Sequence, residues 1–283
     1  MCVGVQKAGT TSLHDILQQN NSVNLPTLKE SHFFDDDDKY NKGIDYYFSH
    51  FFKNKPNAIY GEIVPEYSYF SKCAKRIENA FGKIKILFIL RDPVVREYSH
   101  YLMTKRRGLE ELDFKEAIQQ EKNRLRSYDA RVNYSYISRG FYSEQIERFE
   151  QYFGIENIKV ILFEDLINDT RRTVKEISDF IELPDFEYNF DIKSNTASVS
   201  KSKYLRDFIY KPNNLKSIVG KLIPSKKAKD YIMHLLDQFN LKPAPKEKLS
   251  NDMRRMIYTT YYKKEIEYLE RKIERPLTRW KHL

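Results

Sequence analysis

Hydrophobic and polar positions along the chain follow two periods. Short apolar runs, bounded by glycine, proline or charged pairs, separate longer stretches in which apolar residues recur every three to four positions. The first run, Cys2 to Val5, leads into a segment from Ser12 to Gln19 with Leu13, Ile16 and Leu17 on one helical face. Ile44 to Phe52 is aromatic-rich at helical spacing, and Ala58 to Glu62 reads as a strand entering a loop at Pro65. The clearest strand is Ile84 to Leu90, ended by Arg91-Asp92-Pro93; such a run suits a central strand buried on both faces. Pro93 then fits the first turn of a helix capped by Asp92 and carrying Arg96, Ser99, His100 and Met103. A helix over Tyr142 to Tyr152, a strand over Val160 to Phe163 and a helix over Arg171 to Ile181 continue the alternation. Residues 201–240 have helical character. Arg254 to Glu274 forms one long amphipathic helix on Met256, Ile257, Tyr261, Ile266 and Leu269. The pattern predicts an α/β fold in one domain over residues 1–283: three layers, a central parallel sheet with helices on both faces, and a helical, basic part from about residue 200.

Composition narrows the class. With 41% hydrophobic and 31% charged residues, and no run near the ~18 apolar residues a span requires, a membrane-crossing protein is not expected. The N-terminus enters strand and loop without a basic-then-apolar leader, and Met1 lies so close to the loop that an upstream piece of strand is to be expected. Two cysteines, Cys2 and Cys73, make no disulfide framework and no metal-ligand spacing, so a reducing, cytoplasmic setting is the default. The net charge of +9 is uneven: residues 201–283 hold 21 Lys and Arg against 9 Asp and Glu. That surplus is either a field that steers an anionic ligand or a solvated helical surface. No zinc-finger, RNA-recognition or basic-zipper pattern is present, so nucleic acid is not an expected partner. The acidic run Asp35 to Asp38 reads as a solvated turn.

Two segments carry candidate chemistry. Val3 to Ser12, VGVQKAGTTS, keeps the two-glycine spacing of a phosphate-binding loop at Gly4 and Gly9, but Thr10 stands where a nucleotide triphosphatase has lysine. The cation has moved to Lys7. Ala8, Gly9, Thr10, Thr11 and Ser12 would offer amides and hydroxyls at a helix N-terminus to an anion. A donor with fewer terminal charges than ATP, and with no obligatory metal, fits this P-loop-like arrangement. The second element is Arg91 with Ser99, at the carboxyl end of the strongest strand, where open α/β sheets bind ligands. Two separated anion elements suit a nucleotide with phosphate at both ends.

Taken together these segments resemble the sulfotransferases that use 3′-phosphoadenosine-5′-phosphosulfate (PAPS), within the branch that includes the heparan sulfate N- and 3-O-sulfotransferases and bacterial homologues. The first loop is similar to that family's 5′-phosphosulfate loop, and Leu90 to Tyr101, LRDPVVREYSHY, to its 3′-phosphate element. Lys29 to Phe34, KESHFF, with Lys42 to Tyr47, is similar to the segment that carries the general base, and Gly61 to Tyr67 to the block after it. Weaker echoes are Arg139-Gly140-Phe141-Tyr142, Phe163 to Leu166, and the closing segment with Trp280.

The resemblance implies roles. Lys7 would neutralise the leaving 5′-phosphate, residues 8–12 would hold it, and Arg91 and Ser99 would hold the 3′-phosphate, leaving adenosine 3′,5′-bisphosphate (PAP) as product and requiring no metal. Glu30 would take the proton of the acceptor hydroxyl or amine, with His32 and Glu62 as rival bases. Lys201 and Ser202, within Asn195 to Lys203, would belong to a loop closing over the nucleotide. One departure is Ile63, where carbohydrate enzymes of the family often have lysine. The acceptor expected is a carbohydrate or a small molecule. An ATP-dependent small-molecule kinase and a non-catalytic binder of nucleotide or anionic glycan are the alternatives. The kinase should show lysine at position 10, and Thr10 stands there. Tyr46, Tyr47, Tyr67 and Tyr69 flank the expected cleft, whereas most of the 21 Tyr and 18 Phe read as packing.

Overall fold

The computed structural model describes residues 1–191, 198–211, 226–245 and 247–282. By their internal contacts these fall into two units, the first from residues 1–96, 138–194 and 251–283, the second from residues 97–137 and 195–250.

The first unit is built on a parallel sheet of three strands, β1 (Cys2–Gly4), β4 (Ile86–Leu90) and β5 (Ile158–Leu162), in the order β1-β4-β5. All five residues of β4 are buried, which is the burial its unbroken apolar run foretold for a central strand. Between β1 and β4 come α1 (Thr10–Leu17), β2 (Val23–Asn24), α2 (Asp37–Tyr40), α3 (Ile44–Phe51), β3 (Ile59–Tyr60) and α4 (Lys72–Phe81). β2 and β3 pair only with each other, so the strand anticipated over Ala58 to Glu62 shrinks to two residues in a separate parallel ladder. Its continuation bonds β1 instead, with the Cys2 amide donating to the Glu62 carbonyl at 2.8 Å and Ile63 bridging Cys2.

Helix α5 (Pro93–Arg106) follows β4 and leaves the first unit after Arg96. The Asp92 carboxylate caps it, accepting from the Val94 amide at 3.0 Å, as the sequence indicates. α6 (Tyr142–Phe153) precedes β5 and packs on the sheet through Phe149, whose ring meets Phe88 edge-on at 5.5 Å. α7 (Phe163–Asn168) and α8 (Thr170–Phe180) follow β5. The long C-terminal helix is interrupted: α9 (Asn251–Ile257) passes through one π-helical turn, Tyr258–Tyr262, into α10 (Lys263–Lys272). Tyr262 packs so closely on Gly140 that a Cβ there would meet its ring at 2.4–2.6 Å. The Glu265 carboxylate on α10 accepts from both the amide (2.8 Å) and the hydroxyl (2.7 Å) of Ser143, capping α6.

The second unit holds the rest of α5, the helices Phe114–Gln119, Tyr128–Tyr134, Lys203–Tyr210 and Lys226–Phe239, and an antiparallel pair, Ser198–Ser200 with Leu241–Pro243. Its buried Glu110 is satisfied by Arg124 at 2.8 and 3.2 Å and by the Tyr136 hydroxyl at 2.7 Å. Among the described residues no helix is long and apolar enough to cross a membrane.

Candidate active site

The loop after β1 is shaped by close approaches. A Cβ on Gly4 would meet Ser68 Oγ at 2.6 Å, and one on Gly9 would meet the Phe163 ring at 2.9 Å, so both positions exclude larger residues. Gly9 has φ +81°, a conformation that glycine adopts at little cost, and Lys7 also sits at positive φ, +72°. Gly9 is the N-cap of α1 and has no side chain to cap the helix, whose N-terminal end is of the kind that attracts an anion. The anticipated helix start at Ser12 moves back to Thr10.

Arg91, at the carboxyl end of β4, donates from Nη1 to the Lys7 carbonyl at 2.8 Å and lies over the Phe163 ring at 4.7 Å. Burial lowers its pKa from the usual guanidinium value. The strand end is fastened from the far terminus of the chain: His282 Nε2 meets Asp92 Oδ2 at 2.8 Å, and Trp280 Nε1 donates to Glu164 Oε1 at 3.3 Å.

The segment Lys29 to Asp35 borders this loop. Lys29 Nζ donates to Thr11 Oγ1 at 3.0 Å and to Glu30 Oε1 at 2.5 Å, tying the carboxylate to the first turn of α1. His32 Nε2 faces Glu30 Oε2 at 4.0 Å, and its Nδ1 pairs with Asp35 Oδ2 at 3.0 Å. Burial opposes charge on His32, but the Asp35 hydrogen bond and the charges of Asp35, Glu66 and Glu30 outweigh it and push the pKa up to about 9. Glu66 comes from the loop after β3. Its Oε1 accepts from Gln6 Nε2 at 3.0 Å, and Arg139 Nη1 lies 3.9 Å away. Burial, and then the nearby charge of Glu30, raise the Glu66 pKa.

Several expectations change. Glu62 is 1% exposed and accepts from the Ser31 amide (3.0 Å), the Tyr47 hydroxyl (2.9 Å) and the Tyr67 hydroxyl (3.2 Å). A carboxylate enclosed by three donors cannot reach a substrate proton, so the base role considered for Glu62 is corrected to a scaffold role. Tyr47 and Tyr67 are likewise core residues, buried with it. Asp35 is fully buried, so the run Asp35 to Asp38 is not one solvated turn; its first residue points inward to His32, while Asp36 caps α2 and Asp37 pairs with Lys72 and Arg76. Ile63 is a core residue at 4% exposure.

Ser99, Lys201 and Ser202 fall in the second unit. There Lys201 Nζ donates to the Phe239 carbonyl at 2.7 Å, and Ser202 caps the helix Lys203–Tyr210 by accepting from the Leu205 amide at 3.3 Å. Asn195 to Ala197 of the anticipated closing loop lie outside the described residues.

Reading the sequence alone passes over Gln6, Lys29, Asp35 and Glu66 as site residues. The spacing from Glu30 through His32 to Asp35 was a usable signal, masked by the three aspartates that follow.

The sequence matches the family described as the sulfotransferase domain over residues 1–261. The chain belongs to that sulfotransferase family. Relatives include human heparan sulfate glucosamine 3-O-sulfotransferase 5, 30% identical over 186 residues, which are 64% of this chain and 52% of the relative. The mouse bifunctional heparan sulfate N-deacetylase/N-sulfotransferase 4 is 29% identical over 209 residues, 67% of this chain and 23% of that one. The chain thus spans about half the length, or less, of these curated relatives. A solved sulfotransferase from Alicyclobacillus acidocaldarius superposes with a TM-score of 0.70 at 25% identity, covering 99% of this chain and 96% of the other. The sulfotransferase fold is therefore shared over nearly the whole chain.

Proposed function

We propose that this sulfotransferase moves a sulfuryl group from PAPS to a hydroxyl or amine of an anionic carbohydrate acceptor, with Lys7 assisting the leaving phosphate and Glu30 as general base. One observation carries the reading: Arg91 is bonded to the Lys7 carbonyl, and Lys29 joins Thr11 to Glu30, so the Arg91 guanidinium and a half-buried carboxylate are both tied to the segment Lys7 to Thr11.

The residues present fit the donor. The uncapped N-terminus of α1 and the residues Ala8 to Ser12 suit the 5′-phosphosulfate, and the Arg91 guanidinium suits the 3′-phosphate. The assignment of Ser99 to the same phosphate, and of Lys201 and Ser202 to a covering loop, rests on the family resemblance. PAPS supplies an activated sulfuryl group. In the transfer the acceptor oxygen or nitrogen forms a bond to sulfur while the bond from sulfur to the 5′-phosphate oxygen breaks; Glu30 receives the acceptor proton and PAP leaves. Lys7 offers its ammonium where negative charge grows on the departing oxygen. Each part is played by a side chain, so the displacement as written calls for no metal.

A carbohydrate acceptor is supported by the names of the curated relatives and by a groove of about 410 Å³ lined by His14, Asn24, Thr27, Lys53 and Lys55. His14, on the groove wall, feels the charges of Lys29 and Glu30, which supports a groove within electrostatic reach of Glu30. Amides, hydroxyls and ammonium groups of this kind suit sugar hydroxyls with sulfate or carboxylate substituents.

The deciding experiment is transfer from ³⁵S-labelled PAPS to desulfated and partly sulfated heparan oligosaccharides, with phenols and simple alcohols as other acceptors, beside calorimetry with PAP and with ATP and Mg²⁺. Transfer to the oligosaccharides and binding of PAP are expected. Binding of ATP with Mg²⁺ but not of PAP would reject the reading in favour of a kinase.

A further inference from the structure

A single general base does not account for the cluster of Glu30, His32 and Glu66. Each offers one ligand atom, and the three atoms lie within 4.8 Å of one another. Glu66 is 2% exposed, and while its Oε1 takes the Gln6 amide, its Oε2 is buried without a hydrogen-bond partner. A buried carboxylate oxygen without a donor is costly and calls for a proton or a cation. His32 completes the picture. Asp35 holds the ring through Nδ1, turning Nε2 toward Glu30. An imidazole oriented by a carboxylate through one nitrogen, with acidic oxygens beside the other, has the geometry of a metal ligand and its supporting partner.

We propose that Glu30, His32 and Glu66 form a binding site for a first-row divalent cation of the Zn²⁺ type. Two carboxylates and one imidazole favour Zn²⁺ over Mg²⁺ or Ca²⁺, which take mainly oxygen ligands. Ligand atoms around tetrahedral zinc sit about 3.4 Å apart, given Zn–O and Zn–N bonds near 2.1 Å. The cluster therefore has to close by up to about 1.4 Å, and Glu30 and His32, the two half-buried members, both on a loop, are the ones to shift, Glu30 together with its Lys29 partner. Lys29 on Glu30 Oε1 and Arg139 near Glu66 offset part of the negative charge and hold the affinity to a moderate, reversible level. A consequence rests on the proposed function: a cation bound here withdraws the Glu30 carboxylate from the acceptor, and zinc inhibits transfer.

The test is calorimetry of chelator-treated, tag-free protein titrated with ZnCl₂ in the absence of donor. One saturable site of micromolar affinity is expected, with no comparable signal from MgCl₂. Glu66→Gln and His32→Ala should each weaken binding at least tenfold, while His50→Ala, outside the cluster, should bind as the parent does. Circular dichroism checks the fold, and if Glu66→Gln is misfolded, Glu30→Gln on the more exposed loop gives the same reading. Absence of saturable binding, or unchanged affinity in the folded carboxylate variant, overturns the site. Inhibition of transfer by zinc, reversed by chelator, supports the site and its link to Glu30. Zinc bound at the site without inhibition upholds the site but removes Glu30 as base.

Discussion

The Arg91 guanidinium donates to the Lys7 carbonyl at 2.8 Å, so the residue assigned to the 3′-phosphate also holds the backbone of the loop assigned to the 5′-phosphosulfate. Nucleotide affinity and loop geometry therefore depend on one side chain. Hydrogen bonds to charged groups contribute about 1.5–3 kcal/mol, so Arg91→Ala should weaken PAP binding roughly 10- to 100-fold. Arg91→Lys should recover little of this, because an ammonium lacks the planar fork that spans the carbonyl while stacking on Phe163. Calorimetry with PAP decides, and near-parental affinity in Arg91→Lys would show that only the charge matters.

Lys7 and Glu30 should separate kinetically from Arg91. Their contributions grow as charge moves, so each acts on kcat more than on nucleotide binding. Removing one electrostatic contact to a developing anion costs about 100- to 1000-fold in rate, which sets the expected loss for Lys7→Ala. Glu30→Gln should lose about 100- to 10,000-fold, the usual range for a general base. Both variants should bind PAP within a few-fold of the parent. A Glu30→Gln enzyme with unchanged kcat would direct attention to His32.

Much of this was legible in the sequence, and the parts that were not have a common physical cause. β4 was readable because a strand buried on both faces needs no alternation, and the Gly4 to Gly9 loop because glycine at a close approach leaves a mark in the sequence. The role of Glu62 was hidden because its three donors, Ser31, Tyr47 and Tyr67, are brought together only by the tertiary fold. Glu66 was hidden for the same reason: its partners Gln6 and Arg139 lie on distant segments. The π-helical turn at Tyr258–Tyr262 left the apolar period of the C-terminal helix nearly unbroken, so one helix was expected there.

Glu62 offers a test of scaffold against chemistry. Burial raises its pKa, and the donors from Ser31, Tyr47 and Tyr67 act against that rise. Glu62→Ala strands these donors, and leaving even one buried group unsatisfied costs about 1–3 kcal/mol. A clear drop in the urea midpoint is expected, with any lost activity tracking the unfolded fraction. A stable Glu62→Ala protein with abolished kcat would restore Glu62 to the chemistry.

The groove that Lys53 and Lys55 line predicts an acceptor effect of opposite character. Lys53 is exposed at its rim, so Lys53→Glu should leave the fold and PAP affinity intact while raising KM for anionic oligosaccharides. Adding salt should raise the parent's KM as well, because exposed charges are screened over about 10 Å at 0.1 M. Unchanged KM in Lys53→Glu would place the acceptor elsewhere.

His32 gives a pH dependence whose sign follows from its surroundings. Its folded pKa of about 9 lies above the ordinary 6.5, because Asp35, Glu66 and Glu30 together overcome the penalty of burial. Between those values the folded chain holds a proton that the unfolded chain releases, so stability falls as pH rises. The contribution is fully present below pH 6.5 and is lost as pH passes through about 9. Urea unfolding from pH 6 to 9.5, with a chelator present, should show this decline in the parent and a flatter profile in His32→Asn. Other groups titrate over the same range, so the difference between the two profiles is the quantity that reports on His32. Parallel profiles would mean that the Asp35 partnership does not hold the proton, and the orientation of His32 toward Glu30 would then need another cause.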